Sequence, residues 1–224
     1  MKKIIIFFFV FLFLSVNASS HVAHYQQFKS IEMEIFRNDK LIGINNFYFS
    51  KENDLMKVKN IVQFKVSIAG IDLMKVDSKS TGIYKDDMLI KFNSKTKQND
   101  KDKFVNLYLD QNQFIIDGSS FKGKTSSNHI IGNYWNHSVV KSAAQISPLS
   151  GSVKKQKVKF LGKENLTLYG NNHSTLHFKI LSSEDLPDDK KINLDIWYDE
   201  KTLLLLKVSY KKLGLWEYRL KNYE

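Results

Sequence analysis

Between residues 56 and 68 apolar and polar side chains alternate almost without a break. Met56, Val58, Val62, Phe64, Val66 and Ile68 share one parity, while Lys57, Lys59, Gln63, Lys65 and Ser67 share the other. Only Asn60 and Ile61 interrupt the pattern. Wound as a helix, these residues would be scattered around the circumference. Extended, they give one apolar and one solvated face, because successive strand side chains point to opposite sides. The stretch is therefore a strand with one face on a core. The same period recurs at 28–37, 41–49, 73–84, 88–94, 104–109 and 114–117, separated by polar turns such as Asn38-Asp39-Lys40 and Lys85-Asp86-Asp87.

Residues 192–210 read as a hairpin around Asp199-Glu200-Lys201. With Tyr198 opposite Thr202, one face collects Ile192, Leu194, Ile196, Leu204, Leu206 and Val208 as core. The other is polar except near the turn, where Trp197, Leu203 and Leu205 need cover. Residues 95–102 read as a charged loop and 118–127 as an irregular Gly/Ser/Lys stretch. Asn136 or Ser138 can cap a short helix whose stripe is Val139, Val140, Ala143 and Ile146, ended by Pro148 to Gly151. Further strands follow at 153–160, 166–169, 175–181 and 215–220. Eleven or twelve short strands with polar turns predict an all-β fold. Its form is a single curved antiparallel sheet or half-barrel, a meander with one short helix around residues 138–146. No linker or repeat divides it, so residues 28–224 form one β domain after a flexible stretch at 19–27.

The chain begins as an export signal: Lys2 and Lys3, an apolar run at 4–14, and the small-residue site Val16-Asn17-Ala18. That run is short of the about 20 residues a membrane-spanning helix needs. Cleavage after Ala18 and a periplasmic destination are expected, with a retained anchor as the alternative. There is no cysteine for a disulfide or a lipid attachment. The chain is long enough to bury a core without one. The formal net charge is +11, two of it in the signal. Its lysines are spread along the strands, as on solvated faces. No basic helix or nucleic-acid motif is present, so nucleic acid is not expected; peripheral contact with an anionic membrane surface remains open.

Candidates for chemistry are few. Residues 118–125, GSSFKGKT, match the phosphate-loop pattern at every fixed position. A working loop needs a helix pointing its positive end at the phosphates, and residues 126–132 offer none, so the match is fortuitous. His173 and His177 would share a metal on a helix, but on a strand they stand roughly 13 Å apart. His129 and His137 flank Trp135 without a third ligand nearby in sequence. Cleavage after Ala18 would expose Ser19-Ser20-His21, whose amine, amides and His21 imidazole can form a square-planar Cu(II) or Ni(II) site. No nucleophile elbow is present. Glu184, Asp185, Asp188 and Asp189 read as a solvated turn. No catalytic residue and no cofactor is expected, and the chain reads as a non-enzyme.

Spread along the chain are residues 66–71 (VSIAGI), 84–89 (YKDDML), 94–101 (SKTKQNDK), 134–136 (YWN), 148–151 (PLSG) and 197–199 (WYD). On these the chain resembles an exported bacterial family, domain of unknown function 6134, over most of 28–220. It departs from that pattern at Gly82 and Tyr84, where a carboxylate and a tryptophan are expected. The closing strands are also similar to those of LolA/LolB-like periplasmic lipoprotein carriers. That resemblance implies a half-barrel holding lipid on its concave side, with the short helix as plug or lid; fold likeness alone does not fix function.

The expected function is a binding protein for a lipid-like or other apolar ligand on the concave face. Trp135, Trp197, Leu203 and Leu205 are the expected contacts. The alternative is a structural or interaction module with a filled core and a protein partner that the residues do not identify. The two separate on whether Trp135, Phe64, Trp197 and Trp216 line an apolar cavity or pack against one another.

Overall fold

The computed structural model describes residues 23–224. The expected signal at 1–18 and the copper site at His21 lie outside the described residues. The strands are β1 (Ser30–Arg37), β2 (Lys40–Glu52), β3 (Leu55–Ile68), β4 (Ile71–Lys85), β5 (Met88–Gln98), β6 (Lys101–Asp110), β7 (Gln113–Gly118), β8 (Lys122–Ser126), β9 (Ile130–Ile131), β10 (Ala144–Ile146), β11 (Val153–Leu168), β12 (Asn171–Ser182), β13 (Asn193–Asp199), β14 (Leu205–Lys211) and β15 (Leu215–Tyr223). They make one sheet in which chain neighbours pair throughout, except that β8 and β9 are its two edges. The first strand, β1, pairs antiparallel with the last, β15, and only β9 and β10 run parallel. The sheet does not close. It is the curved all-β half-barrel the alternation predicts. Its ends nonetheless touch: the Ser120 N–H donates to the Ser150 carbonyl at 2.9 Å. A Cβ on Gly118 would stand 2.6 Å from that same oxygen.

Up-and-down order sends alternate turns to opposite ends. Turns after β1, β3, β5 and β14 gather at what we call the Gly70 end; those after β2, β4, β6, β11 and β13 gather with residues 23–28 at the Tyr25 end. Apolar parity faces inward, with Ile31, Met33, Phe47, Met56, Val58, Phe92, Leu107, Ile196 and Val208 buried. Asn60, which seemed to break the run in β3, keeps its inward parity. Its amide donates to Asn45 Oδ1 at 2.7 Å and to the Asn46 carbonyl at 3.0 Å. A buried amide is tolerated once its donors are spent.

The concave face at the Tyr25 end is filled by the chain between β8 and β11. Trp135 is fully buried, edge-on to Tyr25, Phe49 and Tyr84 at centroid distances of 5.0, 5.3 and 5.5 Å. Its indole N–H has no acceptor among the described residues, so the hold is apolar and aromatic. Tyr25 ties the plug down: its hydroxyl donates to the Leu203 carbonyl at 2.9 Å and accepts from the His137 N–H at 3.0 Å. Residues 23–27, expected to precede the domain as a flexible arm, thus form a short 3-10 helix that belongs to it.

The helix expected at 138–146 is not formed. Residues His137–Lys141 make a 3-10 turn, capped by the Asn136 side chain, and Ala144–Ile146 are strand β10. Distant partners decide this. The buried Gln156 amide on β11 donates to the Val139 and Ser142 carbonyls, both at 2.8 Å. It stops the turn there, and β10 pairs with β9 and β11. The loop expected at 95–102 is a tight turn at Asn99-Asp100. Half of the loop expected at 118–127 is β8, antiparallel to β7. The N–H groups of Gly118, Ser119 and Ser120 all donate to protein carbonyls, so no phosphate cradle exists there.

The convex face carries the charges. Glu217, nearly buried, pairs with Lys207 and Arg219, and the Arg219 guanidinium lies over Phe36 at 4.3 Å. Burial alone would raise the Glu217 pKa, but hydrogen bonds from Lys207 and Arg219 outweigh it and hold the carboxyl below the usual range. A carboxylate whose pKa is lower folded than unfolded stabilises above its unfolded value of about 4.3 and loses that contribution as pH falls through the folded value. Glu217→Gln is expected to lower unfolding free energy by about 2 kcal/mol at neutral pH. In urea titrations across pH the difference should close below about pH 4; a constant difference would contradict the pairing. Trp135→Ala should cost about 3–5 kcal/mol in the same titration, as for other large core aromatics.

Candidate ligand-binding cavity

Beyond the plug, at the Gly70 end, the concave face is left open. Walls from β3 and β4 (Val62, Phe64, Val66, Leu73, Met74, Val76) face Tyr210, Trp216 and Tyr218 from β14 and β15 across a cavity of about 580 Å³. Strand parity explains both walls. Val62, Phe64 and Val66 are the inward set of the run at 56–68, and Trp216 and Tyr218 the inward set of β15. Trp216 stacks on Tyr210 at 5.9 Å, meets Phe64 edge-on at 5.4 Å, and donates its N–H to the Lys212 carbonyl at 2.8 Å. Tyr134, Leu149 and Pro148 of the inserted segment form a third side, with Asn45 and Asn60 polar spots in the lining.

Burial pushes the phenols of Tyr134, Tyr210 and Tyr218 above the ordinary tyrosine value, so these walls stay neutral. The charged residues on the lining are Arg37 and Lys212, and no carboxylate is among them. A cavity of this volume with apolar walls and few polar groups is the usual form of a small-molecule site, about 300–1,000 Å³.

A second recess of about 380 Å³ opens at the Tyr25 end, lined by Tyr84, Asp86, Asp87, Lys141 and residues 127–131. It is the more polar of the two. His129 accepts or donates a 2.6 Å hydrogen bond with Thr125 Oγ1, and burial lowers its pKa. Among the described residues no group of three or more His, Asp or Glu can hold a metal ion. His173 and His177 lie on one strand, β12, as their spacing on a strand requires.

The four expected contact residues are not brought together. Trp135 is the plug of the Tyr25 end. Leu205 is buried in the main core. Leu203 sits in the β13–β14 turn with φ of 50° and gives its carbonyl to Tyr25. Trp197 is on the convex face, stacked on His177 at 4.3 Å with the Lys207 ammonium 5.2 Å from its ring, and its N–H donates to Glu164. Its cover is thus its own cross-strand neighbours, not a helix at 138–146.

The hairpin register explains the change. Asp199 Oδ1 accepts from the N–H groups of Lys201 and Thr202 and from the Thr202 hydroxyl. This widens the turn, so Ile196 faces Val208 and Tyr198 faces Leu205, not Thr202. A bulge between Trp197 and Tyr198 turns Leu205 inward, while beyond it the shift is even, so Leu194, Ile196, Leu206 and Val208 remain core as predicted. Of the rings that were to separate the two readings, Phe64 and Trp216 line the cavity and Trp135 packs in the core. Arg37, Lys212, Tyr210 and Tyr218 were not expected at a site. The shared parity of Tyr210, Trp216 and Tyr218 around a Gly-containing turn was the available signal.

A crystal structure of a beta-barrel-like protein of the domain of unknown function DUF1849 from Brucella abortus is similar to this chain. The TM-score is 0.59 at 9% identity, over 87% of this chain and 95% of that one. At that identity the likeness concerns the fold, and it agrees with the half-barrel implied by the carrier resemblance. A DUF1329 family protein from Desulfovibrio piger ATCC 29098 matches at a TM-score of 0.21 and 11% identity, over 91% of this chain and 89% of that one, too weak a likeness to carry weight. No curated protein matches the sequence. The matched family and the similar fold are both described as domains of unknown function. The family profile described as Domain of unknown function (DUF6134) matches residues 33–221, and the chain belongs to that family.

Proposed function

We propose that this protein is a non-enzymatic binding protein of the periplasm that holds a lipid-like or other apolar ligand on the concave face of its half-barrel. The observation that carries this reading is the cavity of about 580 Å³ between Phe64, Met74, Trp216 and Tyr218. Filling the Tyr25 end costs the fold nothing it needs for binding, because the two ends are separately lined. A ligand buried between these walls gains about 25 cal/mol for each Å² of apolar surface removed from water.

The rim supports the same reading. Leu73 and Leu213 line the mouth yet are 52% and 88% exposed, and Ile68 and Ile71 at the tip of the β3–β4 hairpin are exposed beside them. Exposed apolar residues grouped at a cavity mouth suit contact with a lipid surface from which a ligand is taken. The export signal expected at residues 1–18 would place the protein where envelope lipids are within reach.

The second reading, an interaction module with a filled core, draws on the packing of Trp135 between Tyr25, Phe49 and Tyr84. Native mass spectrometry of protein released from the periplasm without detergent separates the two. Adducts of lipid mass, or uptake from a lipid panel at one ligand per chain, are expected. A clean unliganded mass with no uptake would contradict binding and favour the module.

A further inference from the structure

We infer that the cavity takes a single-chain amphiphile with an anionic head group, its apolar chain along the Phe64–Trp216 walls and its head at the cations of the mouth. This rests on the binding function proposed above and names the ligand class. Three cations meet at the Gly70 end from distant parts of the chain. The Arg37 guanidinium donates to the Leu213 carbonyl, the Lys212 ammonium to the Asp189 carbonyl at 2.8 Å, and the Lys154 ammonium to the Lys190 carbonyl at 2.6 Å. Among the described residues none of the three has a carboxylate within ion-pair distance.

Other cations of the sheet are paired: Lys207 and Arg219 with Glu217, Lys65 with Asp72, Lys179 with Asp195. Among the described residues the acidic loop at 184–189 makes no ion pair with Arg37 or Lys212, although the Asp189 carboxylate bears on Lys154. Glu184 turns to Lys155, Asp185 and Asp188 turn to Lys191, and Asp189 offers Lys212 its backbone carbonyl. Burial, and after it the charge of Lys212, lower the pKa of Lys154 against the nearby Asp189 carboxylate, which raises it.

The turn that carries Lys212 is held rigid. Leu213 has φ of 50° and Gly214 φ of 120°, and a Cβ at Gly214 would stand 2.9 Å from the Asn38 side chain. Asn38 Oδ1 also accepts from the Leu215 N–H at 2.8 Å. Positive groups held in place beside an apolar, low-dielectric wall attract an anion more strongly than mobile surface lysines do. The remaining N–H donors of Arg37 and Lys212 are those such a head would use. Carboxylate and phosphate heads share this chemistry.

Trp216 reports on the site, and Trp197→Phe removes the convex-face signal. In that background, quenching by 9,10-dibromostearate, by its uncharged methyl ester, and by a lysophosphatidylglycerol carrying a brominated chain gives three binding curves. The anionic probes should bind about tenfold or more tightly than the ester, the usual scale for hydrogen bonds to a charged group. Which of the two anions binds tighter identifies the head. Arg37→Gln with Lys212→Gln should abolish the preference and leave ester binding within about twofold, while Arg37→Lys with native Lys212 should keep it. Equal binding of acid and ester by the native mouth would overturn the head-group assignment and leave the apolar site standing. Absence of quenching by all three would overturn the binding function itself.

Discussion

Trp135 sits edge-on to Tyr25, Phe49 and Tyr84 in the hollow of the sheet, and the Tyr25 hydroxyl ties this cluster to both His137 and Leu203. A single curved sheet has one apolar face to hide and no second layer to hide it. Here the chain supplies the missing layer itself, by running residues 127–152 across the concave side between the two sheet edges. Where that segment is thick with aromatic contact the hollow is full. Where it thins to Tyr134, Pro148 and Leu149, the walls stand apart and a cavity remains. Plug and cavity are two results of one insertion.

The closure of β1 on β15 has a comparable reach. It brings Arg37 at the end of β1 beside the turn at 212–214, which in turn touches the loop at 183–191. Arg37 and Lys212 thereby meet on the lining of an apolar space, with Lys154 nearby, although the three stand far apart in the chain. On the convex face Lys207 and Arg219 meet Glu217, and Lys179 meets Asp195.

The strands were legible because a period of two depends only on neighbouring residues, as at Met56 to Val66. Asn60 looked like an interruption because its partner, Asn45, lies across the sheet. Val139, Val140, Ala143 and Ile146 have helical spacing, yet Gln156 and the ladder to β11 make the second half a strand. Trp197 was legible as a residue that needs cover. That the cover is His177 and Lys207 depends on a register that Asp199 sets by widening its turn. The site was the least legible part. Phe64 could be placed on the inward face, but its opposition to Trp216 exists only once β2, β1 and β15 are laid between β3 and β14.

The central claim is that the occupied space lies between β3–β4 and β14–β15 at the Gly70 end. A palmitic-acid analogue with a diazirine in mid-chain, photolysed in complex with the purified protein and mapped by peptide mass spectrometry, tests this directly. Adducts are expected within residues 62–76 and 210–218. Adducts confined to the Trp197–His177 face, to the Tyr25 end, or scattered over the surface in proportion to exposure would contradict it.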